Sequence, residues 1–114
     1  MPSGSSSSVR VFSPLHSRDQ LIARLRERLP ALRRVLPPSR VVLFGSWAAG
    51  RATAFSDIDL LVVYPGPRRE DAYALVKRAF GLRGLEPHVY SHEEAQRLQP
   101  MLQRMTRDGI SLSG

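Results

Sequence analysis

A chain of 114 residues with no cysteine has room for one compact domain but not two, excludes a disulfide framework or a thiolate metal site, and suits a reducing, cytoplasmic compartment. No apolar run approaches the roughly 20 residues that span a bilayer, and the N-terminus MPSGSSSSVR lacks the apolar core of a signal peptide, so neither membrane spanning nor export is expected. The net charge of +7 comes almost wholly from arginines spread between Arg10 and Arg107 without interleaved aromatics, which suits an anionic nucleotide or an acidic partner and does not favour nucleic acid.

Residues 1–14 begin with a Ser/Gly-rich stretch without periodicity and read as a disordered tail or linker, of which residues 9–14 could form a short edge strand; residues 15–114 read as the folded domain. Ser17 with Gln20 is a capping-box pattern opening a helix at about Arg18. Leu21, Leu25, Leu29, Leu32 and Leu36 then form one apolar stripe; Pro30 should kink or split this helix and Pro37-Pro38 should end it. Val41 to Phe44 reads as a buried strand closed by Gly45, and residues 46–50 as one helical turn.

Ile58 to Tyr64, apolar on both faces after Asp59, should be a central strand. A helix over 70–80 follows, burying Ala72, Leu75, Val76, Ala79 and Phe80, and Leu85 to Tyr90 forms a third strand. Ser91 with Glu94 is a second capping box, opening a helix that turns Ala95, Leu98, Met101, Leu102 and Met105 inward, with Pro100 in its middle. Ile110 to Leu112 could add a last short strand. The sum is a small α/β (α+β) domain around a mixed sheet of three to four strands.

The chemistry concentrates in "LFGSWAAGRATAFSDIDLLVVY". By strand alternation Asp57 and Asp59 project from one face, about 6.6 Å apart along the axis. Two adjacent carboxylates repel, and a divalent cation favours both ionised forms; oxygen-only donors point to magnesium or manganese. Gly45-Ser46 turns at a strand end, where backbone N–H groups and a hydroxyl can hold phosphate. Metal and phosphate sites facing one another suit phosphoryl or nucleotidyl transfer. A third acid, Glu86, opens the third strand, with His88 and Tyr90 on its face. His88 reads as a packed or partner-facing histidine, Trp47 as packed against the sheet in preference to a base, and Arg51 as either a phosphate contact or a solvated side chain.

Gly45-Ser46, ten intervening residues, Asp57-Ile58-Asp59 and the later acid in "LEPHVYSHEEAQRL" resemble the DNA polymerase β-like nucleotidyltransferases, in particular the minimal nucleotidyltransferase antitoxins that accompany HEPN-domain toxins. The resemblance spans roughly Val41 to Leu98. It implies a palm-like nucleotidyltransferase domain. Gly45 and Ser46 would contact nucleotide phosphate, and Asp57, Asp59 and Glu86 would hold two Mg2+ ions as the catalytic and metal residues. It further implies ATP as substrate, AMP transfer to a hydroxyl, and a HEPN toxin tyrosine as acceptor, the chain being too short for an acceptor-binding domain of its own. Pro87 departs from the family pattern, where an apolar residue follows the third acid; it either displaces Glu86 or marks an edge strand. The rival readings are an antitoxin that neutralises by occlusion with a degraded site, a transferase acting on a small molecule or RNA, and a nucleic-acid binder. A homo- or hetero-oligomer is compatible with all of them.

Overall fold

The computed structural model describes residues 17–53 and 55–112; the expected N-terminal tail lies outside them. Along Ile58–Tyr64 (β2) every position but Asp59 is buried, so this strand needs neighbours on both edges and cover on both faces. It pairs antiparallel with Arg40–Phe44 (β1) and parallel with Leu85–Ser91 (β3). A two-residue strand, Ile110–Ser111 (β4), adds antiparallel to β1, giving the order β3-β2-β1-β4. This is the expected mixed sheet, with the expected central strand.

One face carries the larger core. Helix α1 (Arg18–Val35) begins with the anticipated capping box: Ser17 Oγ accepts from Gln20 N–H at 3.1 Å and Ser17 N–H donates to Gln20 Oε1 at 3.0 Å. Its stripe of Leu21, Leu25, Leu29 and Leu32, followed by Leu36, is buried against Val41, Leu43, Leu60 and Val62. Helix α3 (Ala72–Phe80) makes the crossover that parallel β2 and β3 require and packs on α1. Pro30 neither splits nor ends α1, which runs unbroken to Val35. The carbonyl its ring leaves without a donor is that of Arg26, on the exposed side where water can bond it, while Leu29 and Leu32 hold both halves to the sheet.

The other face is covered more thinly. Helices α4 (His92–Arg97) and α5 (Gln99–Met105) lie over Val42, Phe44, Leu61 and Val63. The single helix expected here is broken at Leu98, because Pro100 takes the first turn of α5, where no donor is needed. The break changes the helical phase. Leu102 is fully buried, Ala95, Leu98 and Met105 pack in part, and Met101, expected inward, faces solvent. Ser91 is buried and caps α4 as expected, its Oγ accepting from Glu94 N–H at 3.2 Å.

Among the described residues no helix is long and apolar enough to cross a membrane. Leu60 lies in the centre of β2 with no exposed surface, so Leu60→Ala is expected to lower stability by about 2–5 kcal/mol, read as the shift in a urea or guanidinium unfolding midpoint at unchanged slope.

Candidate active site

The site begins where β1 ends. After Phe44 the chain turns at Gly45 with φ 78° and ψ −154°, a region closed to residues with a side chain, and enters the single turn α2 (Ser46–Ala49). One turn carries little dipole, so any phosphate affinity here rests on local N–H groups and the Ser46 hydroxyl. Trp47 and Ala48 anchor the turn in the α1-side core, and Arg18 Nη1 donates to Ala48 O at 2.9 Å. Trp47, only 8% exposed, is thus a packing residue as expected; its indole Nε1 has no acceptor among the described residues.

Register brings the acids alongside. Phe44 pairs with Asp59, and Asp59 with Glu86, so the three form one row across β1, β2 and β3. Since Ile58 and Leu60 enter the α1/α3 core, Asp59 points to the opposite face. A Cβ built on Gly45 would stand 2.5 Å from Asp59 Oδ2. The Gly-Ser turn and the second aspartate are therefore in contact. Asp57 lies one residue before β2 and is exposed; its carboxylate makes no hydrogen bond or ion pair with a described residue.

Glu86 is exposed on the sheet's edge strand. Ile58 N–H donates to Gly84 O at 2.8 Å, and because bonding direction alternates along a strand, Glu86 and His88 face β2 while Pro87 turns its donor-less nitrogen to the free edge. Pro87 thus marks an edge strand and leaves the Asp59–Glu86 register intact.

From sequence His88 reads as a packed or partner-facing histidine, outside the metal set. Its Nε2 lies 3.3 Å from Asp59 Oδ1, and its ring meets Phe44 edge-on with centroids 5.0 Å apart. The signal for it was the two-residue step from Glu86, which puts both on one face. Asp59 thus has one oxygen on His88 and the other against Gly45. Among the described residues no three His, Asp or Glu side chains converge as a metal cluster. The donor chemistry of Asp57, Asp59 and Glu86, oxygen only and gathered at one sheet end, nonetheless fits a hard cation such as Mg2+.

On the β4 side of Gly45 opens a cleft of about 380 Å3, lined on one side by Ala49 at the end of α2 and Arg51 just after it, and on the other by Arg104 in α5 and Arg107 and Asp108 just after it. Arg104 and Arg107 carry no motif in the sequence. They reach the site because β4 folds back beside β1, where Gly109 packs so closely that a Cβ there would lie 2.6 Å from Val42 Cγ1.

Residues 19–110 match the family profile described as "Nucleotidyltransferase domain". The chain belongs to that family. Among solved structures, the fold of this nucleotidyltransferase domain is similar to a Sulfolobus solfataricus protein described as a nucleotidyltransferase, with a TM-score of 0.60 and 24% identity over 83% of this chain and 81% of that one. It is also similar to a toxin–antitoxin complex with AMP-PNP, at TM-score 0.54 and 21% identity over 87% of this chain and 74% of that one. A mutant toxin–antitoxin complex named MntA-HpeT follows at TM-score 0.53 and 19% identity, with the same coverages of 87% and 74%. No curated protein sequence matches.

Gly45→Ala in this nucleotidyltransferase is expected to cost about 1–3 kcal/mol through the positive φ and the clash with Asp59. Pairing it with Asp59→Ala should return part of that loss, a coupling of about 0.5 kcal/mol or more in a double-mutant cycle read by denaturant unfolding.

Proposed function

We propose that this protein is a magnesium-dependent nucleotidyltransferase that moves AMP from ATP to an acceptor hydroxyl, and that the acceptor is a tyrosine of a HEPN-type toxin for which the chain is the antitoxin. The observation that carries this reading is the contact of Gly45 with Asp59, which makes the Gly-Ser turn and the carboxylate row walls of one site. Asp57, Asp59 and Glu86 are the metal ligands in this reading, Gly45 and Ser46 bind phosphate, and His88 positions Asp59 by holding one of its oxygens. When bound, magnesium supplies charge neutralisation on the phosphates and a more acidic acceptor hydroxyl.

The proposed partner draws support from the fold shared with two toxin–antitoxin complexes and from the spacing of the motif. Phe55, 95% exposed and two residues before Asp57, adds an apolar contact beside the site that a protein acceptor can cover. The cytoplasm is the compartment in which such a pair would meet.

Purified protein with magnesium and ATP labelled at the α-phosphate should transfer label to the cognate toxin. Asp57→Asn with Asp59→Asn should abolish transfer, Glu86→Gln should lower it on the order of 100-fold, and His88→Ala by roughly 10- to 100-fold. Undiminished labelling by the double aspartate variant would overturn the assignment.

The engagement of Asp59 by His88 favours one second reading, an antitoxin that acts by occlusion alone. The two separate in an ATP titration with and without magnesium, because an occluding protein shows no metal-dependent nucleotide affinity.

A further inference from the structure

We propose that Arg51, Arg104 and Arg107 form a phosphate-chain subsite that receives the β- and γ-phosphates of the nucleoside triphosphate and holds inorganic pyrophosphate after transfer. The proposal rests on the reading of the neighbouring acids as the place of the α-phosphate, and it extends that site across Gly45.

Three arginine residues from two segments of the chain line one cleft of about 380 Å3. Like charges so gathered repel one another and raise the affinity of the space between them for an anion. All three residues are exposed. Among the described residues none of the three makes an ion pair; the pairs present are Arg68 with Glu94, Arg69 with Asp71, Arg97 with Glu93, and His88 with Asp59. Asp108 also lines the cleft without pairing to them, and it opposes an anion there. Planar guanidinium forks match phosphate oxygens and keep their charge at any working pH.

Position supplies the rest. Gly45 belongs both to the cleft wall and to the contact with Asp59, so a polyphosphate chain starting at the acids runs past Gly45 into the arginines. Transfer forms a bond from the acceptor oxygen to the α-phosphorus and breaks the bond from that phosphorus to the bridging oxygen. The electron pair leaves on pyrophosphate, and the acceptor's proton passes to solvent. The developing charge of the leaving group falls where the arginines stand.

The test is calorimetric titration of the full chain with inorganic pyrophosphate in EDTA, so that neither base nor metal contributes. R51Q/R104Q/R107Q should weaken binding about 10-fold or more, while R24Q/R33Q/R34Q, which removes the same charge from the exposed side of α1, should change it by less than about twofold. D108N should tighten binding severalfold. Since these side chains are exposed, unchanged thermal melts are expected and serve as the folding control. Equal losses in the two triple variants, or no loss in either, overturn the subsite. D57N/D59N separates this from the catalytic reading: it should abolish label transfer yet keep pyrophosphate binding. A wild-type protein that binds pyrophosphate through the arginines and transfers nothing refutes the transferase alone. One that transfers while R51Q/R104Q/R107Q binds pyrophosphate as the wild type does refutes the subsite alone.

Discussion

A carboxylate resting against a residue with no side chain is the contact on which this site depends. Asp59 Oδ2 occupies the space a Cβ of Gly45 would need, and the backbone there, at φ 78°, is one that only glycine adopts at little cost. Two separate demands, conformational and steric, therefore fall on the same residue. Satisfying both joins the turn that follows β1 to the carboxylate that opens β2, and it makes the end of an antiparallel pair into a concave, polar place.

The sheet explains why that place stays accessible. Its α1/α3 face is sealed by a continuous leucine, valine and aromatic core, which supplies most of the apolar burial. Among the described residues its other face carries α4, α5 and a five-residue buried cluster. In the row of Phe44, Asp59 and Glu86, Phe44 is buried under that thin cover while Asp59 in part and Glu86 more fully meet solvent, at the end of a well-anchored sheet. Glu86 sits exposed on the edge strand, and β4 on the opposite side brings the arginines of the α5 corner up to Gly45. Rigid strands hold Asp59 and Glu86 while short, exposed connections supply the remainder of this polar place.

His88 shows how the same row acquires a second layer. Lying next to Asp59 and edge-on to Phe44, it restricts the carboxylate by a hydrogen bond on one oxygen while Gly45 confines the other. Orientation of a carboxylate by a neighbour of this kind is a common means of tuning a site.

Much of this was legible along the chain. Short continuous apolar runs bounded by Gly and Pro marked β1, β2 and β3, leucine spacing and two capping boxes marked α1 and α4, and the joint spacing of Gly45-Ser46 with Asp57 and Asp59 singled out residues that the fold brings to one sheet end. Local signals left Pro30 to kink or to split its helix, and its exposed position let the helix pass through unsplit; they misjudged Pro100, whose break turned Met101 outward; both outcomes depend on which side of a helix faces the core. The sequence by itself determined the elements and the acids. Only the tertiary structure decided that Pro87 faces a free edge, that His88 rather than a third carboxylate meets Asp59, and that Arg104 and Arg107 stand beside Arg51. Those are matters of strand order and register between residues far apart in the chain, and no local pattern encodes them.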